Sequence, residues 1–133
     1  MVTSAADTGS TELYAFSFGD SSDLADKLLA LVLAGIKTAT CYSLEAETEV
    51  LSKVGEHQIV LDGSGKKACI IEITVVDFVR FCDVSADFAF LEGEGERSLE
   101  NWRADHEAYF TRQAVFSQNM KLVCEQFRVI ERF

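Results

Sequence analysis

Three polar residues stand where their chemistry could combine: Lys37, Thr40 and Glu72. Lys37 and Thr40 lie in Gly35-Ile36-Lys37-Thr38-Ala39-Thr40, where a helical pattern gives way to a strand-like one. Glu72 is the single charge in the run Ala68-Cys69-Ile70-Ile71-Glu72-Ile73-Thr74-Val75-Val76. A carboxylate in such a run is costly unless a cation or a hydrogen-bond donor meets it. Lys37 is the expected partner. A desolvated lysine with a lowered pKa can accept a proton near neutrality, a hydroxyl can attack or position a water, and a carboxylate can hold an amine or relay a proton. Together they would form a small-molecule or RNA-processing site. On a regular strand, positions 37 and 40 face opposite sides, so convergence requires a bend at Thr38-Ala39.

The composition sets limits on that site. A chain of 133 residues predicts one domain. Its 22 acidic residues against 12 basic ones give a net charge of −10, which opposes binding to long duplex nucleic acid and leaves room for a local basic pocket. No apolar run is long enough to span a bilayer, and residues 1–13 read as a flexible polar tail rather than a secretory signal. Cys41, Cys69, Cys82 and Cys124 contain no Cys-x-x-Cys pair. Four reduced thiols, a cytoplasmic location, no metal and no cofactor are the expectation.

The elements that must position the three residues follow from periodicity. Residues 21–34 predict a helix, N-capped within Asp20-Ser21-Ser22, with Leu24, Leu28 and Leu31 on one face and Gly35 as its stop. Lys37 to Tyr42 suits a short strand, and residues 43–54 carry weak helical signals. Gly55 to Asp62 and Ala68 to Phe81 predict two strands joined as a hairpin through Asp62-Gly63-Ser64-Gly65, the second bent or split near Asp77. Val84 to Leu91 suits a short helix, and Glu92-Gly93-Glu94-Gly95-Glu96-Arg97 an acidic, flexible loop. Ser98 caps a second long helix to about Gln113, whose apolar face is Leu99, Trp102, His106, Tyr109 and Phe110. Met120 to Phe133 is β-rich. Five or six strands and two long helices predict an α+β fold with a small, mostly antiparallel β-barrel and flanking helices.

In this order and at these separations, several segments resemble the ASCH domain, a relative of the PUA-like RNA-binding barrel. They are Gly35 to Thr40, Gly55 with Val60-Leu61-Asp62-Gly63, Ile71 to Thr74, Glu92 to Leu99, Trp102-Arg103, His106 and Leu122 to Val129. The resemblance covers residues 14–133. It implies a PUA-like fold with a cleft lined by the Gly-x-Lys motif. Some members are amidohydrolases that deacetylate N4-acetylcytidine, and others are linked to RNA cleavage or to RNA binding alone. In the amidohydrolase pattern the catalytic lysine, threonine and glutamate match Lys37, Thr40 and Glu72. The chain departs from compact members in its Glu-Gly-Glu-Gly loop and its Trp102 helix.

The resemblance implies single-stranded RNA, a nucleotide or a modified nucleoside as partner, with no membrane. Trp102, Arg103, His106, Tyr109, Arg97 and Ser117 are the expected substrate contacts. Arg97 and Arg103 would reach a phosphate, Trp102, His106 and Tyr109 would offer stacking or acid–base chemistry, and Ser117 would line the cleft opposite Lys37. Each residue also has an ordinary reading. Lys37 can answer a helix dipole, Thr40 can be plain strand, Glu72 can lie on a solvated edge and His106 can be a satisfied core histidine.

Overall fold

The computed structural model describes residues 2–5, 13–45 and 52–133. Among these residues, six strands form one sheet in the order β1-β2-β4-β5-β6-β3. They are β1 (Val2–Ala5), β2 (Tyr14–Phe18), β3 (Ala39–Ser43), β4 (His57–Leu61), β5 (Lys67–Arg80) and β6 (Lys121–Arg132). Only β2 and β4 pair in parallel; the other neighbours are antiparallel. The sheet curls into a half-barrel flanked by three helices, as the α+β expectation required.

The first helix, α1 (Ser22–Leu33), starts where Ser21 Oγ accepts the Leu24 N–H at 3.1 Å, and Gly35 stops it at φ +76°. Leu28, Leu29 and Val32 turn inward against Phe16 and Phe18 of β2. The β4–β5 hairpin closes as expected. Asp62 Oδ1 accepts N–H bonds from Ser64 and Lys66, and the tip docks on α1 through a 2.7 Å bond from Gly63 N–H to Asp26.

Several expectations are corrected. Val2–Ala5 is a strand paired with β2, so part of the presumed tail belongs to the sheet. Of the weak helix at 43–54, the described residues form a strand end and turns, and 46–51 lie outside the described residues. β5 runs unbroken through Asp77. Its register shifts instead at Ile70/Ile71 and Ile73/Val75, where bulges let a 14-residue strand curl.

A 3₁₀ turn (Phe81–Asp83) leads into α2 (Ala86–Glu92), capped by Ser85, and then into α3 (Leu99–Arg112), capped by Ser98. The expected inner face of α3 holds: Trp102, His106, Tyr109 and Phe110 are all buried. The Trp102 ring lies 5.1 Å from that of Phe81. Trp102→Ala should therefore cost about 3 to 5 kcal/mol through the cavity it leaves, read as a lower urea midpoint at constant slope. A loss below about 1 kcal/mol would mean that this side of the core can collapse around the gap.

Candidate functional site

Lys37 sits between two elements that approach unusually closely. Past Gly35 the chain is held by bonds from the Ile36 and Lys37 N–H groups to Leu31 O, then by Thr38 N–H to Leu91 O and Phe127 N–H to Thr38 O. Gly93 ends α2 in the left-handed conformation at φ +73°. A Cβ there would fall 2.5 Å from Ile36 O, so glycine is what lets α2 reach Lys37.

The Lys37 side chain is 1% exposed. Its Nζ donates to Ala39 O, Glu92 Oε1 and Glu94 Oε2, each at 2.8 Å. An ammonium has three protons, so all are engaged. Burial alone would lower its pKa, but Glu92 and Glu94 outweigh burial and hold it above the usual lysine value. The expected base with a lowered pKa is instead a locked cation.

Glu92 is fully buried, and Trp102 Nε1 donates to its Oε2 at 2.8 Å. Burial favours its neutral form, yet the Lys37 cation, helped by His106, holds the carboxyl well below the usual range. Glu94 is the open end of the network, its side chain 14% exposed. The segment read as a flexible acidic loop thus supplies both partners of Lys37. Two signals bear on this in the sequence: Glu92 falls three residues after Ala89 on the inner face of α2, and Gly93 marks the helix end.

The structure does not bring Glu72 to Lys37. On β5, Glu72 is in register with Arg128 of β6 and His57 of β4. Arg128 Nε donates to Oε1 at 2.7 Å, and His57 Nε2 lies 4.0 Å from Oε2. Cross-strand neighbours answer the isolated carboxylate, the Arg128 cation above all, which spacing along one strand could not reveal.

Thr40 is fully buried and its Oγ1 has no hydrogen-bond partner among the described residues, so it is not bonded to Lys37. Its register partner is Glu125, while neighbouring Cys41 pairs with Cys124 on the other face. Glu125 is 1% exposed, and its Oε2 is also unpartnered among the described residues. Burial is the main cause that pushes its carboxyl up to about 7, against a hydrogen bond with Ser52. Sequence reading missed Glu92, Glu94 and Glu125.

The expected substrate contacts divide. Trp102, His106 and Tyr109 are buried, and Trp102 stacks on His106 at 4.3 Å, so none offers an open stacking face. Arg97, at φ +61°, donates to Phe90 O and Ile36 O and lies 3.6 Å over the Phe90 ring, tying its loop to the chain beside Lys37. Arg103 and Ser117 are exposed and line neither of the cavities at the Lys37–Glu94 pair. One cavity, of about 200 Å³, is lined by Lys37, Thr38, Phe127, Arg128, Val129 and Arg132. Another, also about 200 Å³, is lined by Glu94, Leu24, Asp105, Tyr109 and Arg112. Cys41, Glu92 and His106 are the described residues whose donor atoms cluster closely enough to hold a metal.

A family model described as the ASCH domain matches residues 14–131. The fold is similar to the crystal structure of an ASCH domain from Lactobacillus crispatus JV V101. That likeness has TM-score 0.82 and 36% identity and covers 89% of this chain and 79% of that one. It is similar also to a protein from Enterococcus faecalis V583, with TM-score 0.77 and 37% identity over 88% of this chain and 79% of that one. A hypothetical protein at 14% identity and TM-score 0.60, covering 79% of this chain and 93% of that one, shares the fold. No curated protein matches the chain. The capped helices, the curled sheet and the match over nearly the whole chain lead to one conclusion: this chain belongs to the ASCH domain family.

Proposed function

We propose that the protein binds single-stranded RNA or a modified nucleoside and hydrolyses an amide on it, of the N4-acetylcytidine type. One observation carries the reading: a buried Lys37 ammonium is clamped by one fully buried carboxylate and one partly open carboxylate. A fixed ammonium in a dry site is suited to stabilising charge that develops on a carbonyl oxygen. All three of its protons are engaged, so a substrate carbonyl must displace the most weakly held acceptor. Glu94, the partly exposed one, is that acceptor. Once displaced, its carboxylate takes a proton from the water that attacks the acyl carbon. Lys37 holds the oxyanion, and the proton passes from Glu94 to the leaving exocyclic nitrogen, giving an amine and a carboxylic acid. Thr40 and Glu72, assigned by resemblance, have no part in this sequence, because the Thr40 hydroxyl is not bonded to Lys37 and Glu72 is paired with Arg128.

ASCH domains are in general RNA-binding, and the cavity that carries Glu94 also holds Arg112, a cation suited to one phosphate. With a net charge of −10, duplex binding is disfavoured. Cys41, Cys69, Cys82 and Cys124 form no disulfide, which fits the cytoplasmic location that an RNA substrate implies. A second reading, an RNA-binding module without turnover, draws on the saturation of Lys37, since a closed ion network can be purely structural.

Wild type and Glu94→Gln should be incubated with N4-acetylcytidine and short single-stranded RNAs, and products separated by chromatography. The hydrolase reading expects release of acetate and a loss of about 100-fold or more in Glu94→Gln, with its circular dichroism unchanged. RNA binding without products supports the module. Neither binding nor products would sink both readings.

A further inference from the structure

Cys41 on β3, Glu92 at the end of α2 and His106 on α3 bring a thiol, a carboxylate oxygen and an imidazole nitrogen within 4.8 Å of one another, all buried. They come from three elements that the sequence separates widely, and no Cys-x-x-Cys pattern announces them.

The histidine is the telling member. His106 Nδ1 lies 2.9 Å from Trp102 O. A carbonyl only accepts, so Nδ1 carries the proton. In the neutral ring Nε2 is then a bare lone pair. That atom is buried, has no hydrogen-bond partner among the described residues and faces Glu92 Oε2 at 3.4 Å. A lone pair facing a carboxylate oxygen is repulsive unless a cation lies between them. The cation is either a proton, making an imidazolium, or a metal ion.

Two features favour the metal. The first is orientation. A histidine that ligates a metal characteristically donates its other ring N–H to a carbonyl or carboxylate, as Nδ1 does here. The ring is fixed further by stacking on Trp102, and Glu92 by Trp102 Nε1 on Oε2 and by Lys37 on Oε1. The second is composition. Cys41 Sγ lies within 4.8 Å of both atoms and completes a sulfur, oxygen and nitrogen donor set that a proton held between Glu92 and His106 does not use.

We propose that Cys41, Glu92 and His106 form a binding site for a borderline-soft divalent cation of the Zn²⁺ or Co²⁺ class, through Sγ, Oε2 and Nε2. One sulfur, one nitrogen and one oxygen donor suit such an ion, whereas Mg²⁺ and Ca²⁺ call for oxygen ligands. Bonds of about 2.0 to 2.3 Å to the three atoms require the cluster to contract slightly around the ion. Binding displaces the thiol proton to solvent, and a second proton if His106 starts as an imidazolium. The site does not depend on the hydrolase reading.

The test is spectroscopic. Chelator-treated protein is titrated with Co²⁺, following the thiolate-to-cobalt charge-transfer band in the near ultraviolet and the visible bands of a tetrahedral site. The expected result is saturation at one Co²⁺ per chain, displacement by one Zn²⁺ and loss of the charge-transfer band in Cys41→Ser. His106→Gln should weaken Co²⁺ binding by more than about 100-fold, beyond what partners outside the coordination sphere usually carry. Nitrogen-15 NMR of wild type provides a readout that needs no variant: the His106 Nε2 resonance should move on addition of Zn²⁺. No saturable band, a band that survives in Cys41→Ser, or an imidazolium signal that Zn²⁺ leaves unmoved would overturn the proposal and assign the cluster to a proton.

Discussion

Lys37→Met is expected to destabilise the protein by about 3 to 5 kcal/mol, the usual cost of removing one partner from a buried ion pair. Methionine keeps most of the aliphatic stem, so little packing is lost. What remains is Glu92, fully buried and stripped of its principal cation. Glu94 is partly exposed and can turn to solvent. If Lys37 were exposed, its truncation would change stability by no more than about 0.5 kcal/mol. Its burial reverses that expectation. The double variant Lys37→Met/Glu92→Gln tests the cause, because a neutral amide still accepts from Trp102 Nε1 and no longer needs a cation. It should recover about 2 kcal/mol or more relative to Lys37→Met alone. Urea denaturation of the three proteins provides the comparison. A Lys37→Met variant within about 1 kcal/mol of wild type would mean that water reaches the network in solution.

Glu125 should make the fold less stable as the solution becomes more alkaline. Its carboxyl is raised by burial to about 7, so the folded state keeps a proton that the unfolded state has already released. The sign follows from linkage. Between the ordinary glutamate value and about 7 the native state binds more protons, and stability falls as pH rises through that window. The contribution is fully present below the unfolded pKa and is gone above the folded one. A shift of this size corresponds to roughly 3 kcal/mol. Glu125→Gln is neutral at every pH and should remove that decline, so the stability difference between variant and wild type should grow in the variant's favour from about pH 5 to pH 8. Glu92 acts in the opposite direction and at lower pH, because its carboxyl is depressed. The two contributions are therefore separable. Parallel stability curves for wild type and Glu125→Gln across this window would show that Glu125 is already ionised in the fold.

The features legible in the sequence share a local cause. Ser21 and Ser98 each cap a helix through an N–H three residues ahead, and the inner faces of α1 and α3 follow a period that one turn defines. The β4–β5 hairpin is fixed by Asp62 and the residues around it. The site depends on partner choice over long separations. Lys37 meets Glu92 across 55 residues and Arg128 meets Glu72 across 56. Glu72 looked like the anomaly because an apolar run surrounds it, yet Arg128 on the adjacent strand β6 supplies its cation. Glu92 and Glu94 looked ordinary because glycines and charges surround them, yet α2 carries them inward. Local contrast in polarity therefore singled out Glu72 and paired it with Lys37, whereas each has its partner elsewhere in the chain.

The position of β3 at the far edge of the sheet governs how the chain can be made. Residues 39–43 are translated early, but their sheet neighbour is β6, residues 121–132. The contacts of α1 and of the β4–β5 hairpin are local, so their residues are all present before β6 emerges. The nascent chain cannot seat β3 until β6 has left the ribosome and paired with β5. Such distant pairings make closure slow, because the loop entropy is lost before the contacts form. Throughout that interval, the backbone edge of β3 and the segment bearing Lys37, Thr40 and Cys41 remain open to other chains. Premature termination before residue 121 would leave an unpaired strand edge with a buried-type sequence, which is a template for aggregation.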